Sequence, residues 1–311
     1  MKQKIWSALL ALLVLAGCAP SAPAREANLS VVATTYPIYL FTCAITEGVE
    51  GVAVERLDTG SVSCLHDYTL SMRDMQKLEG ADVIALNGAG LEEFLEDALE
   101  TSDAQVIDCS RNVQLLESLE HDHEEHGDHD HGHWDPHYWM DPARADRMVQ
   151  NIQADLSQLD PDHARQYSEN AAGVSALLAA RQNLARELIQ MYHPIPGLVT
   201  FHNGFQYFAQ AYGLPLLASI EEEAGSEASA KEIVEITQLV REYDIPIIFT
   251  EVNGSDATAQ AIARETGCRV GQLSMIMDGP DGSLEQYLNA VTDNVTAIVN
   301  GFAGKEVIGH E

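Results

Sequence analysis

Positive charge is what this chain has least of. It carries 17 Lys and Arg against 48 Asp and Glu, a formal net charge of −31. Nucleic acids and anionic lipid surfaces are held by basic patches, so neither is an expected partner. A surface this acidic draws cations weakly over its whole extent. Long apolar runs are also missing. The longest stands at the N-terminus, Ala8 to Ala16, and is too short to span a bilayer as a mature helix. Hydrophobic residues still make up 46% of the 311 positions, which excludes both a disordered chain and a polytopic membrane protein. Cysteine is sparse at five residues, internal repeats are absent, and no H-E-x-x-H stretch marks a zinc hydrolase.

The N-terminus reads as a targeting segment. Lys2 and Lys4 form a charged start, the apolar run follows, and Leu15-Ala16-Gly17-Cys18 ends it. That ending resembles the lipobox of bacterial lipoproteins, in which the cysteine is lipidated and becomes the first mature residue. Residues 1–17 are then a signal peptide, and residues 18–28, rich in Pro, Ser and Ala, a lipidated tether. The mature protein is expected outside the cytoplasm, held at a membrane by Cys18. Cys43, Cys64, Cys109 and Cys268 remain. An oxidising compartment permits disulfides among them, and four cysteines allow three pairings between which sequence does not choose.

From Leu29 onward, short β-branched runs alternate with amphipathic stretches. Strands are predicted at Val31–Thr34, Val52–Leu57, Val83–Leu86 and Gln105–Ile107, and again at Leu198–Phe201, Pro215–Ser219, Pro246–Thr250 and Arg269–Leu273. Helices are predicted between them, including Ile38–Glu47, Thr69–Leu78, Leu91–Thr101, Gly204–Tyr212, Ala230–Tyr243, Ala257–Thr266 and Leu284–Gly301. This rhythm belongs to parallel sheets covered on both faces. The fold class is α/β, with two similar lobes of about four strands each, at 29–159 and 194–311. Between them, 160–193 reads as one helix that starts at Asp160-Pro161 and stops before Pro194. Thirty helical residues span roughly 45 Å. Such a connection stiffens the pair of lobes against wide closure.

Seven of the twelve histidines fall between His121 and Pro142, in H-D-H-E-E-H-G-D-H-D-H-G-H-W-D-P-H-Y-W-M-D-P. His121, His123, His126, His129, His131 and His133 are interleaved with acids and glycine inside the loop 120–133, without apolar periodicity. By composition such a tract binds metal weakly. His137 differs, because it is pinned between Pro136 and an aromatic pair just before Asp141-Pro142, a helix N-cap followed by proline. His66 follows the second strand in C-L-H-D-Y-T-L, and His202 ends the first strand of the second lobe in L-V-T-F-H-N-G-F. Ligands of open α/β sheets gather beyond the carboxyl ends of the strands. His66, His137 and His202 are therefore expected to meet between the lobes. Cys64, two residues before His66, is expected in a disulfide or as a buried thiol.

These three motifs, together with A-D-V-I-A-L-N-G-A-G-L-E at Ala81–Glu92, resemble the solute-binding lipoproteins of zinc and manganese ABC importers, the ZnuA/TroA type. The resemblance covers essentially the whole mature chain. It implies two α/β lobes bridged by a rigid helix, a metal ion held between them as cargo, and no catalysis. It also implies a membrane permease and a cytoplasmic ATPase as partners, and a monomer. The acidic His-rich tract is a feature of the zinc-specific members. The family often places an Asp near the end of the last strand as a fourth ligand, where this chain has Ser274, with Asp278 four residues later. The fourth position is left among Glu251, Asp278 and water.

Imidazole-rich sites suit zinc, whereas manganese prefers a harder, oxygen-rich shell. His202 stands where manganese-binding relatives tend to carry a carboxylate, so Zn2+ is the expected cargo. Mn2+ or Fe2+ in the same role is the alternative. A metal-dependent surface adhesin and a secreted zinc hydrolase are the readings from other classes. Each imidazole ligand must be neutral, so zinc affinity is expected to fall as pH drops through about 6. Titrations at pH 7.5 and pH 5 that return the same affinity would contradict a histidine site.

Overall fold

A computed structural model describes residues 28–59, 65, 68–119, 133–192, 194–220 and 229–309. Cys18, Cys64, His66 and the tract residues His121, His123, His126, His129 and His131 lie outside the described residues. Eight strands are present among those described. They are β1 (Leu29–Ala33), β2 (Val52–Arg56), β3 (Val83–Leu86), β4 (Gln105–Asp108), β5 (Leu198–Phe201), β6 (Leu216–Ser219), β7 (Ile247–Glu251) and β8 (Arg269–Leu273). They form two parallel four-stranded sheets in the orders β2-β1-β3-β4 and β6-β5-β7-β8. In the first, Val31 sits between Val54 and Val83. In the second, Phe201 pairs with Thr250, which pairs in turn with Gln272. In each sheet the winding reverses beside the first strand, so a crevice opens at the carboxyl ends of β1 and β3 and of β5 and β7.

The covering helices are α1 (Tyr36–Ile45), α2 (Met72–Glu79), α3 (Glu96–Glu100), α4 (Pro142–Leu159), α5 (Ala164–Met191), α6 (Gln206–Tyr212), α7 (Ala230–Glu242), α8 (Ala257–Thr266) and α9 (Leu284–Ala303). None of the described helices is long and apolar enough to cross a membrane. Local chemistry sets several boundaries. At α2, Ser71 and Asp74 form a reciprocal capping box, so the helix starts three residues later than its apolar pattern suggests. The stretch expected as one helix over Leu91–Thr101 splits into a 3-10 turn at Glu93–Leu95 and the short α3. At α4, Asp141 Oδ1 accepts the Ala143 N–H at 2.9 Å and Pro142 occupies the first turn, as the sequence predicts.

Asp160 behaves differently from the expected cap. Pro161–His163 is a 3-10 turn, and the Asp160 carboxylate takes the His163 ring nitrogen and the Tyr167 hydroxyl, both at 2.7 Å. The helix proper, α5, runs for 28 residues, about 42 Å. Its buried stripe is Tyr167, Ala171, Val174, Leu178, Gln182, Ala185 and Ile189. Leu177, Leu184 and Met191 stand off that stripe and face solvent. The helix is no bare rod, because it packs along α4 and also against α1, α6 and α9.

One apolar core consequently runs through both sheets. It joins Val31, Val83 and Ile107 to α1, α4, α5 and α9, and continues to Leu198, Ile247, Phe249 and Leu273. Smaller clusters cover the outer sheet faces, one beneath α7 and α8 and one beneath α2 and α3. Polar bonds fasten the same joint. Trp139 is fully buried, its indole N–H donates to the Met275 carbonyl at 2.9 Å, and its own carbonyl accepts the Tyr287 hydroxyl at 2.6 Å. Arg56, at the end of β2, bonds Asp278 at 2.9 Å and the Gly279 carbonyl at 3.2 Å, while Tyr36 donates to the Asp281 carbonyl at 2.8 Å. Gly279 has to be glycine for this approach, since a Cβ there would collide with the Tyr36 phenol.

Replacing Trp139 tests how much of the molecule leans on this joint. Trp139→Ala is expected to cost about 3–5 kcal/mol through the cavity left behind. Trp139→Phe, which keeps most of the volume and strands the Met275 carbonyl, should cost about 1–3 kcal/mol. Urea midpoints of the metal-free proteins measure both, and a loss under about 1 kcal/mol for Trp139→Ala would contradict a shared core.

Candidate metal centre

His137 is fixed by the residues on either side of it. It precedes a 3-10 turn, Tyr138–Met140, which leads into α4. The residues on either side of it are held by the loop after β3. The Asn87 amide donates to the Pro136 carbonyl at 3.0 Å, and the Asn87 carbonyl accepts the Tyr138 hydroxyl at 2.5 Å. Its ring is oriented by Asp135, which is 4% exposed. Asp135 Oδ1 accepts the His137 backbone N–H at 2.9 Å and lies 2.9 Å from the ring Nδ1. An ionised carboxylate there keeps the proton on Nδ1 and leaves the Nε2 lone pair pointing away. Asp135 is itself steadied by Tyr207, whose hydroxyl donates to its backbone carbonyl at 2.7 Å.

His202 follows β5 directly, and Glu251 is the last residue of the adjacent strand β7. Both lie in the crevice where the winding of the second sheet reverses. His202 Nε2 stands 3.4 Å from His137 Nε2, with the rings nearly perpendicular at 86°. Two nitrogens at 2.0–2.1 Å from a tetrahedral zinc ion are about 3.3 Å apart. The pair therefore already has the separation of two legs of such a site. Glu251 Oε2 is 3.9 Å from His202 Nδ1, beyond hydrogen-bond range. Gly204 completes the packing, because a Cβ there would collide with the Met275 side chain and press on the His202 ring.

Burial shapes the charges here. Glu251 is 4% exposed and its carboxyl is pushed up to about 7 by burial, with nearby His137 pulling the other way. A pocket of about 180 Å³ opens beside it, lined by Glu251, Asn253, Ser274, Met275 and Asp278 among others.

The other expected residues fall out as follows. Asp278 is taken by Arg56 in an ion pair between the lobes. Ser274 is a structural corner. Its backbone N–H and carbonyl both bond the Asn294 amide, at 2.7 and 2.8 Å, and its hydroxyl accepts the Ile276 N–H at 3.1 Å. The loop turns there through Ile276 at φ 61°, a strained angle for a β-branched residue. Among the described residues no three His, Cys, Asp or Glu side chains come close enough together to hold a metal. His66 lies outside the described residues, as do the tract residues other than His133. His133 is on the surface, 3.8 Å from Glu117 and packed edge-on against Trp134. Cys43, Cys109 and Cys268 are free thiols in the structure. Asp135, Asn87 and Arg56 were missed by the sequence reading. Only Asp135 left a signal, as the acid two residues before a histidine in D-P-H.

Comparison with known proteins returns a consistent set. The family model described as zinc-uptake complex component A periplasmic, ZnuA, matches residues 31–301. The zinc-binding lipoprotein AdcA of Streptococcus pneumoniae is 29% identical over 303 residues, covering 94% of this chain and 59% of AdcA. The chain thus spans well under two thirds of the length of that relative. The manganese-binding lipoprotein MntA of Halalkalibacterium halodurans is 29% identical over 245 residues, 76% of this chain and 77% of MntA. The crystal structure of ZnuA superposes with a TM-score of 0.76 at 25% identity, covering 89% of this chain and all of that one.

The raised Glu251 carboxyl predicts the pH dependence of the metal-free protein. Its pKa rises from an ordinary 4.5 to about 7 on folding. Stability from this group is therefore fully present below about pH 4.5 and is lost as pH rises through 7, on the order of 3 kcal/mol. Glu251→Gln should flatten the thermal stability of chelator-stripped protein between pH 5 and pH 8. An unchanged slope would mean that the carboxylate is better solvated than its burial implies.

Proposed function

Because the chain belongs to the ZnuA family of periplasmic zinc-uptake components, we propose that it captures Zn2+ in the cleft between its lobes and delivers it to an ABC-type importer. The observation that carries this reading is the 3.4 Å approach of two Nε2 atoms, one from the segment that leads into α4 and one from the end of β5. Two lone pairs brought so close repel each other unless a proton or a cation sits between them. Asp135 assigns the His137 proton to Nδ1, which leaves Nε2 free for a cation. His66 supplies the third ligand from the loop after β2, and Glu251 or water the fourth. The metal is cargo, bound without turnover, and the protein acts as a receptor with no catalytic step.

The remaining parts of the reading follow from the same role. Cys18 is the lipid anchor, and the chain works on the outer side of a bacterial membrane as a monomer. A permease and its cytoplasmic ATPase take the ion onward. The tract from His121 to His133 holds zinc weakly and raises its concentration near the cleft. Residues 160–193 link a lobe at 29–159 to a lobe at 194–311.

Manganese is the second reading, since the similar MntA is a manganese-binding protein. The donor set argues for zinc, because nitrogen affinity rises from manganese towards zinc and His137 and His202 both offer nitrogen.

Competitive titration of the protein lacking His121–His133 with zinc, manganese and iron tests both. One tight zinc site is expected, weakened about 100-fold or more by His202→Ala. A preference for manganese would change the cargo. No tight site at all would leave the tract as the only metal binder and end the importer reading.

A further inference from the structure

Glu92 is a buried carboxylate that none of the chemistry above uses. It is 6% exposed, and no Lys, Arg or His among the described residues pairs with it. Three donors converge on it instead. Oε1 accepts the Thr34 hydroxyl and the Asn87 N–H, both at 2.6 Å, and Oε2 accepts the Gly88 N–H at 2.9 Å. Two successive backbone N–H groups aimed at one carboxylate form a small anion nest, which fixes the backbone that carries them. Thr34 directly follows β1 and Asn87 directly follows β3, so Glu92 ties together the two strand ends that border the crevice of the first sheet.

The turn it fixes is strained. Gly88, Ala89 and Gly90 all have positive φ, at 74°, 56° and 84°, and Ala89 pays a steric cost that glycine would not. Gly88 has no room for a side chain, since a Cβ would collide with Asp108 and come within 2.6 Å of the Ser110 hydroxyl. The Asn87 amide is committed as well. Nδ2 donates to two carbonyls, Gly88 at 3.1 Å and Pro136 at 3.0 Å, and Oδ1 is left buried with no partner among the described residues. Turning the amide over would set its oxygen against both carbonyls. The orientation that leaves one acceptor unsatisfied is therefore the one that grips Pro136.

We infer that Glu92 is a positioning residue for metal capture, acting through Asn87 to hold the Pro136 carbonyl and the Tyr138 hydroxyl on either side of His137 and so to aim its Nε2 at His202. The path is continuous: Thr34 and Glu92 fix the Asn87 turn, and Asn87 clamps Pro136 and Tyr138, the two neighbours of His137. Burial pushes the Glu92 carboxyl up to about 7, while its three donors pull the other way by favouring the ionised form. The inference rests on His137 being a ligand.

A double-mutant cycle on the full chain, titrated with zinc against a chelating competitor, separates the two claims. Glu92→Gln keeps the shape and removes one acceptor face, and should weaken the tight site about 10-fold, the usual effect of a partner that orients a ligand. In a His137→Ala background the same substitution should change affinity less than twofold, because there is no ring left to aim. Tyr138→Phe, which deletes only the hydroxyl bond to Asn87, provides a milder variant expected to fold, with a loss of about threefold that again vanishes in His137→Ala. A full loss in both backgrounds, or no loss in either, overturns the inference. If His137→Ala alone leaves zinc affinity intact, the ligand assignment has failed instead.

Discussion

Everything at this site depends on two sheets being unable to slide past each other. His137, just before α4, and His202, just after β5, come from different lobes, and their nitrogens face each other at 3.4 Å. A slip of half an ångström would spoil that geometry for a small cation. The restraint is an apolar core that does not stop at the boundary between the lobes, with Trp139 at its centre bonded to the loop after β8 on one side and to α9 on the other. Close-packed interiors yield little to strain, which is why such a joint can define a distance.

Much of the architecture was legible because buried parallel strands must be apolar throughout. β3 and β5 lie where their apolar runs place them, and the edge strand β8 and the helix α8 also match their predicted ends. The helix starting at Asp141 announced itself through its N-cap and proline. Boundaries were lost where side chains outside the periodic pattern decide them, as with the Ser71–Asp74 capping box and the Asp160 carboxylate engaged by His163 and Tyr167. Along α5, all the leucines looked equivalent. Only the packing of α4, α1 and α9 reveals that Leu178 is inside while Leu177 and Leu184 are not.

The site was legible in part. His202 could be singled out because it stands at the end of a strand pattern, and Glu251 because it closes F-T-E; that their strands are neighbours only the fold reveals. His137 could be singled out by its rigid neighbours, yet what aims it could not. Asp135 is close in sequence, but Asn87 and Glu92 act across about fifty residues through contacts that no spacing encodes. Asp278 was one of the three possibilities left open for the fourth position. Its position after β8 suggests a ligand, and Arg56, 222 residues away in the chain, takes it first.

The shared core also bears on how an importer of the proposed kind tells a full receptor from an empty one. Two halves welded through one interior would present much the same silhouette in both states, leaving little message in shape at large. What changes on loading is charge: two positive units arrive at the mouth of a strongly acidic body, beside the buried Glu251 carboxyl. A docking partner would then recognise occupancy as a local change in electrostatic potential around the cleft rim, a signal that is short-ranged in physiological salt and confined to the few segments that touch it.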